Sequence, residues 1–279
     1  MRLRFAFLVL AALCAEPTFL YGPGGASAED GRTPCCRSEN LDSAQLLRNA
    51  ERFYAEFKPK EAAVELRKIL QLDPRDFEAT AKLARAYLDI GDMIPESSSD
   101  WREKRMKEYR KAEEYARQAI SLNPNSTWGH FYVAASLGSI ALVSSISNQI
   151  DLAGEIRSAL DKAIALDPNN GLAYHVYGIW HRKMAEIGKA SRLVASVVFG
   201  RSPPSGNLET SIAYLKKAVM LNPHVIASRL ELGKSYMAVE NWSMARSSLM
   251  AIRELPIQFS DDAKHKQRAE QILEEIKDR

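Results

Sequence analysis

Aromatic, aliphatic and basic side chains recur at helical spacing between residues 85 and 237, in a pattern that could bind a ligand. An apolar floor beside basic groups suits an extended or helical peptide that carries apolar anchors and a carboxylate. The same surface would suit a lipid with an anionic head group. We predict a ligand-binding groove formed by Arg85, Leu88, Trp128, Phe131, Ala135, His175, Ile179, Arg182, Lys183, Leu230, Lys234 and Met237.

The residue types that most often catalyse reactions do not fall into a catalytic or metal-binding pattern. The five histidines show no metal-ligand spacing such as H-E-x-x-H. The sequence contains neither G-x-S-x-G nor a glycine-rich loop for phosphate. A nucleophilic cysteine needs a folded, electropositive setting, which the segment around Cys35 and Cys36 does not offer. We therefore expect a protein that is not an enzyme and that has no metal or cofactor.

A three-residue phrase occurs four times in the chain and marks the helices that would position the groove. It consists of Leu, then Asp or Asn, then Pro. It stands at 72–74, 122–124, 166–168 and 221–223, each time after apolar residues at helical spacing. Proline ends a helix because it lacks a backbone N–H and forces the preceding residue out of the helical region. An Asp or Asn beside it can cap the next helix. The four stops predict a repeated pair of helices.

Residues 43–76 fit a tetratricopeptide repeat of 34 residues, with its small, aromatic and proline positions filled. The same frame gives further repeats at 77–126, 127–170, 171–225 and 226–259. The three central repeats are 16, 10 and 21 residues too long, and we expect the extra residues between the two helices of each repeat. The predicted fold is an all-α, tetratricopeptide-type solenoid over residues 43–279. It has about five helix pairs, long inter-helix insertions in repeats 2 to 4, and a C-terminal capping helix from Asp261 to Lys277.

The first helices of successive repeats line the concave face of such a superhelix, and this places the predicted groove residues on one surface. Two alternatives remain open at this point. Trp128 and Phe131 could pack against neighbouring repeats, because aromatic residues at helical spacing usually belong to the core. Arg182 and Lys183 could be solvated surface residues.

The region between the helices of the fourth repeat resembles a known family. It begins with G-I-W at 178–180 and runs through V-V-F-G-R-S-P-P at 197–204. A long insertion before a Phe-Gly-basic-x-Pro phrase is similar to the regulator of microtubule dynamics family, and the similarity covers roughly residues 41–279. The resemblance implies a tetratricopeptide-like fold and a binding module. The family's name also implies association with microtubules, and some members lie at organelle membranes.

The first 28 residues are typical of a secretory signal peptide. Two arginines precede an uncharged run at 5–15, and A-S-A at 26–28 offers a cleavage site. Residues 29–42 are predicted to be a flexible lead, in which Cys35 and Cys36 could form a vicinal disulfide, pair between chains or stay reduced. We expect a bacterial protein in the periplasm or outside the cell, which would meet no microtubules. The alternative is an anchor or transit peptide that places the protein on or in a eukaryotic organelle.

Charge and hydropathy limit the other partners. The net charge of +3 is too small to indicate a nucleic-acid binder. Residues 127–150 are uncharged over 24 positions, but their many Ser, Asn and Gln residues favour a buried helix over a membrane span. Residues 182–201 combine five basic residues with apolar ones and could lie on an anionic membrane surface. The alternative is a helix folded back over the groove with its basic side solvated.

Overall fold

The computed structural model describes the backbone of residues 34–279 and the side chains from residue 43 onward. Within this range the chain forms helices joined by turns and short irregular segments. The predicted signal peptide and the side chains of Cys35 and Cys36 lie outside the described residues. The helices are α1 (Pro34–Ala55), α2 (Pro59–Leu72), α3 (Phe77–Asp92), α4 (Trp101–Leu122), α5 (Thr127–Val143), α6 (Ile146–Leu166), α7 (Gly171–Glu186), α8 (Lys189–Phe199), α9 (Leu208–Leu221), α10 (Ile226–Ala238), α11 (Trp242–Met250) and α12 (Asp262–Glu275).

The helices pack in the order expected of a solenoid of helix pairs. The pairs are α1–α2, α3–α4, α5–α6, α7–α9 and α10–α11, and α12 packs on the last pair as the predicted cap. Helix α8 is an addition, because α7 packs directly on α9. The predicted all-α solenoid is therefore confirmed. Helix α1 starts at Pro34, within the segment that the sequence assigned to a flexible lead.

The predicted helix stops lie at the ends of α2, α4, α6 and α9. At three of them the Asp or Asn of the repeated phrase accepts a hydrogen bond from the backbone N–H two residues later, as Asp73 does from Arg75 at 2.9 Å. A second polar residue then caps the next helix. Asp76 accepts from the Ala79 N–H at 2.8 Å, and Asn170 accepts from the Ala173 N–H at 3.0 Å. These bonds satisfy backbone donors that a helix start leaves unpaired.

The small residue in the first helix of a repeat allows close packing, as Gly178 shows. A Cβ atom added at Gly178 would lie 2.5 Å from Cγ of Leu215 on α9, well inside van der Waals contact. Leu215 is fully buried at this contact. Glycine here lets α7 and α9 approach each other more closely than any side chain would permit.

The extra residues of the central repeats do not all lie between helices, which corrects the expectation. In the third repeat only residues 144–145 connect α5 to α6, and the extra residues lengthen the two helices to 17 and 21 residues. In the second repeat they are shared between the connection 93–100 and a 22-residue α4. In the fourth they form α8 and the segment 200–207. No helix of the described chain is long and apolar enough to cross a membrane.

Candidate functional site

Most of the predicted groove residues are buried in this structure. Leu88, Phe131, Ala135 and Ile179 belong to the core shared by the first four repeats. Arg85, His175, Arg182 and Leu230 are also buried, whereas Trp128, Lys183, Lys234 and Met237 keep part of their surface exposed. The expected open apolar floor is therefore packed over most of its length, because these side chains fill the spaces between neighbouring helices. Contact of these twelve residues with a ligand stays a prediction.

Trp128 and Phe131 on α5 are packed against other side chains, as in the alternative in which they belong to the core. Phe131 has no exposed surface, and its ring lies edge-on to that of Trp128 at a centroid distance of 5.9 Å. Trp128 also lies 6.0 Å from the ring of Tyr132. Phe131 therefore stabilises the core, whereas Trp128 is half-buried and keeps part of its surface exposed.

Three basic residues of the predicted groove, Arg182, Lys183 and Lys234, meet in one cluster between α7 and α10. Arg182 is 4% exposed and forms ion pairs with Glu231 and with Glu186, the latter at 3.0 Å. Lys234 lies 2.5 Å from the second carboxylate oxygen of Glu231. Lys183 lies 3.5 Å from Glu186. The cluster thus holds three cations and two carboxylates, and its net charge is smaller than the sequence suggested.

Burial and charge set the ionisation of this cluster. Burial alone would raise the pKa of the Glu231 carboxyl, but Lys234 and Arg182 beside it hold that pKa at about 2. Burial, with a contribution from Arg182, lowers the pKa of the Lys183 ammonium group. Burial also lowers the pKa of His175 to about 4, and Nδ1 of its neutral ring lies 3.1 Å from the Ser228 hydroxyl. An anionic ligand would have to compete with Glu231 and Glu186 for these cations.

The C-terminal part of the chain reaches the first two repeats. Gln258–Asp261, in the connection between α11 and α12, lines one pocket together with residues of α1, α3 and the turn after α1. The pocket is small, with a volume of about 40 Å³. Phe259 is buried against Val225 and Ala227 at the start of α10. The chain's own segment therefore lies opposite α3, at the end of the groove where Arg85 was predicted to meet a ligand. The pocket is lined by Tyr54, Phe57, Pro59, Arg85, Asp89, Asp92, Gln258, Phe259, Ser260 and Asp261.

This pocket is acidic. Burial raises the pKa of Asp89 to about 7 although Arg85, at 3.8 Å, favours the charged form. Burial raises the pKa of Asp92 well above its usual range, and Asp92 accepts a hydrogen bond of 2.7 Å from the Tyr109 hydroxyl. Burial likewise raises the pKa of Asp261 to about 6. Arg85 also stacks over the Tyr54 ring at 4.1 Å, so its guanidinium is held against α1.

Sequence reasoning missed several of these residues. Asp89 occupies the same repeat position in α3 as Lys183 does in α7, so the frame that selected Lys183 also points to Asp89. Glu231 lies one helical turn before Lys234, and that spacing signals an ion pair. No local pattern signals that Gln258–Asp261 shares a pocket with the first repeats, because about 170 residues separate this segment from Arg85 along the chain.

Helix α8 presents an apolar face to solvent. Leu193, Val194, Val197 and Val198 are 66%, 52%, 78% and 63% exposed, while Ala195 on the opposite face is buried. The side of α8 that faces solvent is therefore apolar. The sequence had offered the alternative of a helix whose basic side faces solvent, and the structure differs from it. Large exposed apolar patches mark interaction sites in soluble proteins.

Arg192 fixes the position of α8. Its guanidinium donates hydrogen bonds to the carbonyls of Met184 and, at 3.1 Å, of Ile187, and to Pro203 at 2.6 Å. The other basic residues of 182–201 are also engaged. Arg182 and Lys183 belong to the α7 cluster, and Arg201 bonds to Asp151 at 2.6 Å. Lys189 is the exposed basic residue at the start of α8.

Comparison with known proteins identifies the family. The sequence profile described as "Regulator of microtubule dynamics protein 1-3" matches residues 46–277. The chain is 30% identical over 202 residues to regulator of microtubule dynamics protein 1 of Pongo abelii, covering 72% of this chain and 63% of that protein. It is 26% identical over 193 residues to regulator of microtubule dynamics protein 3 of Mus musculus, covering 68% and 40%. The chain therefore spans less than two thirds of the length of these relatives.

Solved structures support the same fold. A thermophilic tetratricopeptide-repeat protein of Thermus thermophilus superposes with a TM-score of 0.59 at 17% identity, covering 83% of this chain and 98% of that one. The pilF protein of Pseudomonas aeruginosa superposes with a TM-score of 0.50 at 15% identity, covering 85% and 86%. Together with the sequence match, these similarities show that the chain belongs to the regulator of microtubule dynamics protein 1-3 family and has a tetratricopeptide-type helical fold.

Proposed function

We propose that the chain is a non-catalytic binding module that holds a segment of a partner protein on the concave side of its solenoid. The observation that supports this proposal is the position of Gln258–Asp261, an irregular segment that lines a pocket together with residues of α1 and α3. A non-helical stretch of polypeptide therefore lies near the first helices of the solenoid. A partner segment would bind further along the same face, where α7 and α10 keep exposed surface.

The accessible part of this face has a defined chemistry. Lys183, Lys234 and Met237 are half-buried, and Lys234 and Met237 lie one turn apart on α10. The cluster to which the lysines belong has one cation more than carboxylates. Such a surface suits a peptide with an apolar anchor next to a carboxylate, because each charge-assisted hydrogen bond contributes more than a neutral one.

A peptide selection tests the proposal directly. The full chain would be immobilised and used to select from a random peptide library, and the best peptide titrated by fluorescence anisotropy. We expect Lys234→Ala to weaken its binding about tenfold, which corresponds to about 1.4 kcal/mol. Lys216→Ala, an exposed lysine on the second helix of the fourth repeat, is the matched control and should leave binding unchanged. Equal affinity in both variants, or failure to select any peptide, would count against a peptide site on this face.

A second candidate function is binding to an anionic lipid surface, and the exposed face of α8 favours it. Four large apolar side chains point to solvent from one face, beside the exposed Lys189. An amphipathic helix of this kind can lie in the membrane interface with its apolar face buried among lipid chains. Arg192 would hold α8 in place while it does so.

Flotation with vesicles of neutral and anionic phospholipid tests the second candidate. The full chain should float with anionic vesicles, and Val197→Asp should abolish flotation because it places a charge in the centre of the apolar face. Met220→Asp is the matched control, since Met220 is 65% exposed on α9 and away from α8. Equal flotation of the two variants, or none of the wild type, would exclude α8 as a lipid-binding helix.

A further inference from the structure

Three potential metal ligands lie close together at the start of α12. None of them belongs to the peptide-binding or lipid-binding surface proposed above. Asp261, Asp262 and His265 each offer one ligand atom, and these atoms lie within 4.8 Å of one another. His265 lies four residues after Asp261 and three after Asp262, and these spacings bring its side chain next to both carboxyl groups. This is the one such group of three among the residues that the structure describes.

The state of their polar atoms points to a ligand. Asp262 has no exposed surface, and its Oδ2 accepts hydrogen bonds from the backbone N–H groups of Gln258 and Phe259 at 2.8 and 2.9 Å. Its other oxygen, Oδ1, is buried and has no hydrogen-bond partner among the described protein atoms. The same holds for Oδ2 of Asp261 and for Nδ1 of His265. Buried polar atoms normally form hydrogen bonds, so three that form none within a single group call for an explanation.

We propose that Asp261, Asp262 and His265 bind a divalent transition-metal ion of the zinc or manganese class. An imidazole together with two carboxylates suits such ions, whereas calcium and magnesium prefer oxygen ligands alone. In a tetrahedral zinc site with ligand bonds near 2.1 Å, the ligand atoms lie about 3.4 Å apart. Here Nε2 of His265 lies 3.5 Å from Oδ2 of Asp261, and the three ligand atoms all lie within 4.8 Å of one another. Side-chain movements of roughly 1.4 Å or less would therefore bring the three atoms to that spacing.

The position of the site suggests what the metal would do. Asp261 lines the pocket that also contains Asp89 and Asp92 of α3, so the ion would lie where the C-terminal segment meets the first repeats. A cation there would favour the charged forms of these carboxyl groups and would fix the segment 258–261 against the groove. The metal would thereby control how firmly the chain's own segment holds one end of the concave face.

Calorimetric titration of the full chain with zinc chloride tests the proposal. Cysteines are alternative zinc ligands, so Cys14, Cys35 and Cys36 would be replaced by serine in every sample. We expect one zinc site per chain, and a rise in the thermal unfolding temperature when zinc is added. His265→Gln and Asp261→Asn should each weaken zinc binding at least tenfold and remove that rise. His224→Gln, at an exposed histidine, is the matched control and should bind as the parent does.

Circular dichroism spectra of the metal-free variants would separate loss of a ligand from loss of the fold. Asp262→Asn is less suitable as a test, because Asp262 also caps the preceding turn through Oδ2. Zinc binding that is equal in the parent and in folded His265→Gln would overturn the proposal. So would the absence of a saturable zinc site in the parent.

Discussion

Arg182 is the groove residue whose substitution gives the clearest test of the structure. It was predicted to contact a ligand, and the structure instead buries it in ion pairs with Glu231 and Glu186. Replacing it by methionine keeps most of its aliphatic length and removes the charge. Glu231 would then remain buried with one cationic neighbour, Lys234, whose side chain is 23% exposed.

The expected cost of Arg182→Met follows from that arrangement. Removing one partner of a buried ion pair typically costs about 3–5 kcal/mol, because it leaves an uncompensated buried charge. Lys234 still compensates Glu231 in part, so we expect a value near the lower end, about 3 kcal/mol. Replacing both Arg182 and Glu231 by methionine removes the buried carboxylate as well. The double variant should be about 1–2 kcal/mol more stable than Arg182→Met alone.

Urea unfolding followed by circular dichroism measures these differences, with Lys216→Met as an exposed control expected within about 0.5 kcal/mol of wild type. A loss below about 1 kcal/mol for Arg182→Met would refute the buried pair and return Arg182 to the set of accessible ligand contacts. Charge reversal at Arg182 is a poor test of ligand binding for the same reason. It would place a third carboxylate beside Glu231 and Glu186 and disrupt the fourth repeat.

Three further predictions concern titration, packing and the position of α8. Because burial lowers the pKa of His175 to about 4, stability is fully present above pH 6.5 and is lost as pH falls towards 4, by up to about 3 kcal/mol. The raised pKa values of Asp89 and Asp261 change stability in the opposite direction over this range, so His175 is isolated by comparison with His175→Asn. Urea unfolding at about pH 7 and about pH 4.5 should show a less favourable change in stability for the wild type than for His175→Asn. Gly178→Val should destabilise the chain by about 1–3 kcal/mol or more in thermal unfolding, whereas Gly154→Val, with open space around it, should be nearly neutral. Arg192→Met should release α8 and raise its amide hydrogen exchange without changing that of α7; unchanged exchange in α8 would show that Arg192 does not hold it.

The sequence predicted the repeat architecture because the relevant signals are local. Each helix stop combines a proline with a capping residue a few positions away, and Gly178 marks a close contact within one repeat. The insertions were harder to predict. Their length follows from the repeat frame, but continuous helical hydrogen bonding decides whether the extra residues form a loop or lengthen a helix. In the third repeat they lengthen α5 and α6.

The candidate site was predicted less well because it depends on contacts between residues far apart in sequence. The frame identifies the side of the helix that faces inward, and Arg182 and Lys234, which it placed on one surface, share Glu231 as an ion-pair partner. Whether an inward-facing residue meets solvent depends on what lies opposite. Glu231 lies 49 residues from Arg182, and Gln258–Asp261 lie about 170 residues from Arg85, so no pattern in a short window reveals either contact.

The phrase V-V-F-G-R-S-P-P, which carried the resemblance to the family, has a structural explanation that connects it with function. Its valines form part of the exposed face of α8. Gly200 ends the helix at a φ of 68°, a left-handed conformation that glycine adopts without strain. The Pro203 carbonyl accepts a hydrogen bond from Arg192, and Arg201 pairs with Asp151 on α6. The phrase therefore both exposes an apolar helical face and anchors it on two sides, and this arrangement supports the proposal that the face binds a lipid surface.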